Sequence, residues 1–148
     1  MREIKFRAWD KKSKKMRQVT EIVFNTGFYL EPNDNTVKLI WVKGQDIIEN
    51  KEIQLKREND FILMQYTGLH DKNGNEIYEG DIVKHDGFYE GDCYYNAGCG
   101  QVLWDDENTG FYLTAKDTSF ISLFDLTRNL DGEVIGNIYD NPELLEVE

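Results

Sequence analysis

Apolar and polar residues alternate along much of this chain. Residues 4–9 (IKFRAW) and 16–24 return an apolar side chain at about every second position, which is the period of a strand with one buried face. The run at 37–42 (VKLIWV) is β-branched and apolar, as is typical of a buried strand. Further short runs bounded by turn-forming residues lie at 28–30, 61–67, 76–83, 101–104, 111–113, 119–126 and 133–139. The pattern predicts a mainly β fold, with about ten short antiparallel strands forming a small barrel or sandwich.

Signals for helix are few. Asp46 followed by Glu49 fits an N-cap with an acidic residue three positions on, and predicts a short helix from residue 47 to about 57. The apolar residues there form no clean stripe, so a connector or another strand stays open. Pro142 followed by Glu143 predicts one helical turn near the end. We therefore expect at most one or two short helices.

Glycine and asparagine mark the turns. Asn73-Gly74 is the strongest hairpin signal, because both residues tolerate positive φ. Gly80 allows a strained turn, and Asp81 is expected to accept main-chain N–H bonds there. The Gly-, Tyr- and Asp-rich residues 87–100 predict a long loop.

One hexapeptide occurs twice: residues 25–30 (NTGFYL) return identically as residues 108–113. Duplication of a hairpin unit would explain the repeat. The simpler explanation is that Asn-x-Gly before aromatic residues is a good turn-to-strand sequence. The sequences around the two copies differ, which favours the simpler explanation.

Charge is distributed unevenly in a chain whose net charge is −11. Residues 1–60 hold 13 Lys/Arg and 10 Asp/Glu, whereas residues 61–148 hold 4 and 18. We therefore divide the chain into an N-terminal β region with a basic end, 1–58, and an acidic, barrel-like region, 59–148. One continuous domain is the alternative. The asymmetry indicates that the basic end of one copy meets the acidic body of another, or binds a different anionic partner.

The basic end is the candidate contact surface for nucleic acid or a neighbouring subunit. Its residues are Lys5, Arg7, Trp9, Lys11, Lys12, Lys14, Lys15 and Arg17. Strand alternation puts Trp9 on the face of Arg7 and puts Phe6 on the opposite face, towards the core. An aromatic side chain among cations is how single-stranded nucleic acid is held. The acidic total disfavours tight non-specific binding, so nucleic acid is the second choice.

Zinc and calcium patterns are incomplete. Cys93, Cys99, His70 and His85 are candidate zinc ligands, but the cysteines are five residues apart, wider than a zinc knuckle. We expect two reduced thiols, although a local disulfide or a metal site stays open. The motif at 71–75 (DKNGN) resembles the start of a calcium loop, but the loop's required sixth-position Gly and twelfth-position Glu are absent. A plain hairpin tip is the simpler interpretation, and we predict no metal.

Enzyme signatures are also missing. The acidic run 105–107 is typical of a solvated hairpin tip, and the chain contains no nucleophile elbow, phosphate-cradling loop or dinucleotide fingerprint. We therefore expect no enzyme and no cofactor. The chain has neither an apolar run of about 20 residues nor a signal-peptide block, so we expect a cytoplasmic protein that makes no membrane contact.

Three groups of segments resemble the YopX family of phage and prophage proteins. They are residues 6–10 (FRAWD); residues 63–69 (LMQYTGL) with 71–74 (DKNG) and 77–83 (IYEGDIV); and residues 134–139 (VIGNIY) with 141–143 (NPE). The resemblance implies a small protein encoded by a bacteriophage or prophage, without an established biochemical role, that self-associates. It implies no catalytic residues.

Together these observations predict a non-enzymatic, self-associating protein-interaction module in the cytoplasm of a bacterial host. The expected partner is a second copy, or an unidentified phage or host protein. The alternative is an accessory nucleic-acid-binding protein that uses the basic N-terminal strand and loop.

Overall fold

A computed structural model of the chain describes residues 3–24, 39–46, 51–55, 60–90, 93–114, 120–124 and 132–145. In these ranges the chain is almost entirely strand and turn, and the strand pairs with a defined register are antiparallel. The predicted mainly β, antiparallel fold is confirmed. No helix within the described ranges is long and apolar enough to cross a membrane.

The chain forms two compact units, Lys5–Met64 and Gln65–Glu148 with Met1–Ile4. The predicted division after residue 58 was drawn from charge and stays a prediction. The N-terminal unit contains β1 (Phe6–Asp10), β2 (Lys15–Phe24), β3 (Leu39–Asp46), β4 (Lys51–Leu55) and the first residues of β5 (Phe61–His70), in the sheet order β4-β3-β2-β1-β5. Its described core contains Ala8 and Phe61, against which Val19, Ile22 and Leu63 pack.

The C-terminal unit contains the rest of β5 and the remaining elements. These are β6 (Glu76–Tyr78), β7 (Asp81–His85), β8 (Phe88–Glu90), β9 (Cys93–Tyr95), β10 (Gly98–Asp105), β11 (Gly110–Thr114), β12 (Phe120–Ser122), β13 (Glu133–Asn137) and a 3-10 helix (Pro142–Leu145). The 3-10 helix confirms the helical turn predicted from Pro142. A five-stranded sheet has the order β12-β11-β10-β7-β13, so in the described residues it is open rather than closed into a barrel.

Alternation explains the core of the C-terminal unit. Val102 and Leu113 are register partners on β10 and β11, and both are fully buried, while their chain neighbours Leu103 and Tyr112 are half-buried on the opposite face. The buried cluster consists of Ile77, Val83, Val102, Leu113, Ile121 and Leu123. Each such side chain contributes about 1.5–3 kcal/mol to folding, so burial of this cluster stabilises the unit.

The turn between β6 and β7 has the predicted structure. Gly80 has φ +81°, and Asp81, only 1% exposed, accepts a hydrogen bond from the main-chain nitrogen of Tyr78 at 2.7 Å. The main-chain nitrogen of Gly80 also donates to the carbonyl of Val102 at 2.8 Å, which joins the turn to β10. The structural roles predicted for Gly80 and Asp81 are confirmed.

Two local predictions were wrong. The helix predicted from residue 47 to about 57 is replaced in its described part by β4, because Lys51–Leu55 pairs along β3 with the register Val42↔Leu55. The long loop predicted over 87–100 contains β8, β9 and the start of β10, because the aromatic residue types there favour strand pairing, as in Phe88↔Tyr95.

Other predictions lie wholly or partly outside the described residues. The strand at 28–30 and the first copy of the repeated hexapeptide, 25–30, fall there. The origin of the repeat therefore stays open. Of the strand predicted at 119–126, the structure describes β12 alone as strand.

Candidate functional site

The basic end forms a hairpin tip, residues 11–15, which we call the lysine turn. Asp10 and Lys15 are register partners at the ends of β1 and β2, and four residues connect them. All five residues of the lysine turn are exposed. Four of the five are lysines, so the tip concentrates positive charge on an acidic chain.

Hydrogen bonds to Asp10 fix the main chain of the lysine turn. Asp10 Oδ1 accepts hydrogen bonds from the main-chain nitrogens of Lys12 at 3.0 Å and Ser13 at 3.2 Å, and the Ser13 hydroxyl donates to Oδ2. The main-chain nitrogen of Lys14 donates to the Asp10 carbonyl at 2.8 Å, and that of Lys11 donates to the Asp60 carbonyl at 3.0 Å. The turn is therefore ordered before any partner binds.

The charge of Asp10 is maintained by the same contacts. Burial acts to raise the pKa of this carboxyl, but hydrogen bonds from Ser13 and Lys12 and the nearby Arg17 guanidinium lower it, and the net shift is downward. Arg17 Nη2 lies 3.7 Å from Asp10 Oδ2 and donates to Ser13 Oγ at 3.1 Å. Asp10 is therefore ionised at neutral pH, and its carboxylate is occupied by the turn and by Arg17.

The structure separates the predicted contact residues into two sets. Trp9 and Arg17 are each only 5% exposed, and Lys5 and Arg7 are half-buried, with Arg7 Nη2 3.6 Å from Met64 Sδ. The expectation that Trp9 would share an accessible face with the cations was wrong. Ala8 and Trp9 point to opposite faces of β1 and both are buried, so both faces of the strand are covered there. The accessible cations are Lys11, Lys12, Lys14 and Lys15.

Three of these lysines are uncompensated. Within the described part of the chain, the ammonium groups of Lys11, Lys12 and Lys14 make no ion pair or side-chain hydrogen bond. The nearest carboxylate in sequence, Asp10, is already used by the turn and by Arg17. Lys11, Lys12 and Lys14 are therefore the cations of the lysine turn that can meet an anionic partner.

A second hairpin tip, between β10 and β11, has the same design and the opposite charge. We call Asp105, Asp106 and Glu107 the acidic turn. Asp105 is the register partner of Gly110, again with four connecting residues, and its Oδ1 accepts from the main-chain nitrogen of Glu107 at 2.9 Å. The fourth connecting residue has positive φ in both tips, 54° at Lys14 and 52° at Thr109. The predicted hairpin tip at 105–107 is confirmed.

The carboxylates of the acidic turn differ in availability. The Asn108 side chain donates to Asp105 Oδ2 at 2.6 Å, and this bond is the main cause that lowers the pKa of Asp105. Asp106 and Glu107 are exposed. Asp106 Oδ1 accepts from the indole nitrogen of Trp104 at 2.8 Å, and this contact positions an indole ring that is 40% exposed. The tip therefore presents two carboxylates beside an aromatic ring.

The candidate metal ligands that the structure describes form no cluster. Both carboxylate oxygens of Asp71 accept hydrogen bonds, Oδ1 from the main chain of Asn73 and Asn75 and Oδ2 from Val134 and the Asn75 side chain. Cys99 donates its thiol to the Leu144 carbonyl at 3.2 Å, and the Cys93 side chain lies outside the described residues. Among the side chains that the structure describes, no group of three His, Cys, Asp or Glu could hold a metal.

Two functional features were missed in the sequence. The role of Asp10 was not predicted, although an Asp two and three residues before polar turn residues is the signal for an Asx turn. The exposure of Trp104 was not predicted either. Strand alternation places Trp104 on the same face of β10 as the buried Val102, so alternation alone predicts a buried ring. Its position at the strand end leaves the ring open.

These observations define a class: an antiparallel β protein of two units, with rigid hairpin tips of opposite charge. A family model described as YopX protein matches residues 5–146, and the chain belongs to the YopX family. This confirms the resemblance seen in the sequence. No curated protein matches the chain.

Two solved structures resemble the chain over nearly its whole length. The crystal structure of protein EF1440 from Enterococcus faecalis is 28% identical, with a TM-score of 0.56, over 98% of this chain and 99% of that one. The crystal structure of protein yopX from Bacillus subtilis is 20% identical, with a TM-score of 0.59, over 98% and 99%. The second likeness concerns the fold alone.

Proposed function

We propose that this chain is a non-enzymatic protein-interaction module that self-associates through the lysine turn. The observation that carries the proposal concerns the exposed ammonium groups of Lys11, Lys12 and Lys14 on an ordered turn, in a chain of net charge −11. They make no ion pair with any residue that the structure describes. A concentrated positive tip on an acidic protein is complementary to the rest of another copy. Complementary charge of this kind steers encounter and sets orientation.

The rigidity of the turn supports a contact role. Association is weakened by the ordering of loops at an interface, and a preordered loop avoids that cost. Hydrogen bonds to Asp10 and Asp60 already fix the main chain of the lysine turn. The lysine side chains alone remain to be ordered when a partner binds.

The use of the buried carboxylates supports a non-enzymatic role. General acid–base catalysis needs a carboxyl that can reach a substrate. Asp10, Asp71 and Asp81 instead accept hydrogen bonds from nearby main-chain nitrogens. These three carboxylates therefore serve turns rather than chemistry.

The biological setting of the proposal comes from the family. The resemblance implies a gene carried by a bacteriophage or prophage, so the proposed site of action is the cytoplasm of a bacterial host. A second copy is the proposed partner, and an unidentified phage or host protein is the alternative partner.

Light scattering of the purified chain at low and high salt tests the proposal. We expect a molar mass that is a multiple of 17.4 kDa at low salt and falls towards 17.4 kDa in 1 M salt. The reason is that the Debye length shortens from about 10 Å at 0.1 M to about 3 Å at 1 M, which screens exposed charges. A monomer at every salt concentration would contradict self-association.

The second candidate function is accessory binding of nucleic acid. The cluster of Lys11, Lys12, Lys14 and Lys15 favours it, because clustered lysines neutralise phosphates. The burial of Trp9 counts against it, since stacking of bases needs an exposed ring. Filter binding of single-stranded DNA tests this alternative. Affinity that survives moderate salt and is lost when the four lysines become Glu would favour it over self-association.

A further inference from the structure

We propose that the lysine turn of one copy binds the acidic turn of a second copy, with a lysine ammonium placed over the exposed ring of Trp104. The inference rests on the proposed self-association and names its interface. It assigns the contact to Lys11, Lys12 and Lys14 on one copy and to Trp104, Asp106 and Glu107 on the other.

Charge selects the acidic turn as the partner surface. Residues 105–107 are the one run of three consecutive acidic residues in the sequence, and Asp106 and Glu107 are exposed. Both carboxylate oxygens of Asp105 already accept hydrogen bonds from Asn108, so Asp105 stabilises the turn and is not assigned to the contact. Two carboxylates and the Trp104 ring at one tip match the three lysines at the other.

Trp104 is the independent observation that points to a cation. Trp104 is 40% exposed, and its ring makes a T-shaped contact with the ring of Phe111, with ring centroids 5.0 Å apart. The bond from its indole nitrogen to Asp106 holds the ring beside the carboxylates. A cation is attracted to the face of an indole, the most favourable aromatic ring for this interaction. An exposed indole next to two carboxylates is therefore suited to a lysine side chain.

The symmetry of the complex decides how many times this contact occurs. A two-fold dimer that uses this contact reciprocally contains it twice, whereas a head-to-tail arrangement builds a larger ring or chain. Single exposed ion pairs are weak, so a stable complex needs several together with the aromatic contact. Removing the charges of one turn should consequently weaken association by much more than the loss of a single ion pair would.

Charge reversal with full-length protein tests the interface. Variant A carries Lys11→Glu and Lys12→Glu, and variant B carries Glu107→Lys, which leaves the bond between Asp106 and Trp104 in place. Each variant alone opposes like charges across the contact, so we expect each to associate at least tenfold more weakly than the unchanged protein. A matched control carries Lys84→Glu and Glu143→Lys, two exposed charges outside both turns, and should associate as the unchanged protein does.

An equimolar mixture of the two variants is the decisive experiment. Each turn of variant A then meets a turn of opposite charge on variant B, so the equimolar mixture should regain the molar mass that neither variant has alone. Circular dichroism and urea unfolding of each variant establish that the chains are folded. Recovery on mixing also cannot come from unfolded chains.

The outcomes separate this inference from the proposed function. A monomeric unchanged protein overturns both. An unchanged protein that self-associates, together with variants A and B that associate equally well, overturns the assigned interface and leaves self-association to another surface. Weak association of A and B without recovery on mixing also overturns the pairing of these two turns. Recovery on mixing supports it.

Discussion

Asp71 Oδ2 accepts a hydrogen bond from the main-chain nitrogen of Val134 at 3.1 Å, across 63 residues of sequence. The same carboxylate closes the β5–β6 hairpin tip through Asn73 and Asn75. Beside it, Lys72 Nζ lies 2.7 Å from Glu133 Oε2, and the Lys72 main-chain nitrogen donates to the Gly132 carbonyl at 2.8 Å. One acidic residue thus joins a local turn to the start of a distant strand, β13.

Replacing Asp71 by Asn should destabilise the fold by about 3 kcal/mol. An Asn side chain has one oxygen and one NH₂ group, and the NH₂ group would face N–H groups that now donate to the carboxylate. Equilibrium unfolding in urea measures the change. Asp86→Asn is the matched control, since Asp86 is exposed, and it should alter stability by less than about 0.5 kcal/mol. Equal stability of the two variants would contradict the role of Asp71.

The pH dependence of stability should follow from the same carboxylate. Burial acts to raise the pKa of Asp71, but the hydrogen bonds from Asn75, Val134 and Asn73 outweigh burial and lower it. The folded pKa therefore lies below the unfolded value of about 3.9, so the stabilisation is present above that pH and is lost as pH falls through the folded pKa.

Thermal unfolding between pH 7 and pH 2 checks this expectation. The unchanged protein should lose stability steeply below about pH 4, and Asp71→Asn should lose less over the same range. Because the pKa of Asp10 is also lowered, the variant should retain part of the acid sensitivity. Parallel pH curves for the two proteins would refute the assignment to Asp71.

A methyl group at Gly100 should be far more harmful than one at Gly98 on the same strand. A Cβ at Gly100 would overlap the carbonyl oxygen of Thr114, so the main chain would have to move. A Cβ at Gly98 would meet nothing nearer than His85 Nε2 at 3.9 Å. We expect Gly100→Ala to cost about 2–3 kcal/mol and Gly98→Ala less than about 1 kcal/mol. Urea unfolding of the pair tests the close approach of β10 and β11.

Thr109→Gly should stabilise the protein by about 1 kcal/mol. A β-branched residue at φ 52° is strained, and glycine adopts this conformation freely. Thr109→Ala is the control, because it keeps a Cβ at positive φ and should recover little of that gain. A shift of the thermal midpoint measures both. Lower stability of the glycine variant would show that the turn is not strained at this position.

Much of the local structure could be predicted because it depends on neighbouring residues. Alternation located β1, β2 and β5, and the turn at Gly80 followed from the freedom of glycine to adopt positive φ. The helix predicted over 47–57 was wrong because the prediction rested on a local capping signal, whereas the pairing of β4 with β3 determines the structure there. Such pairing is a long-range effect that local propensity does not contain.

The candidate site was predicted only in part. The sequence located the lysines, because their charge is visible in any arrangement of the chain. Whether Trp9 is accessible depends on what covers its face of β1, and the structure buries it. Trp104 shows the reverse case, since it lies on the core face of β10 but beyond the end of the core, where its ring stays exposed.

By itself, the sequence determined the strand-rich character, the hairpin at Asn73-Gly74, the turn at Gly80 and the opposed charges, because each follows from residue type and short-range spacing. Tertiary structure alone decided which side chains those turns expose and which carboxylates the main chain occupies. The bond between Asp71 and Val134 illustrates the reason. Burial and hydrogen bonding depend on segments that are distant in sequence and become neighbours when the sheets assemble.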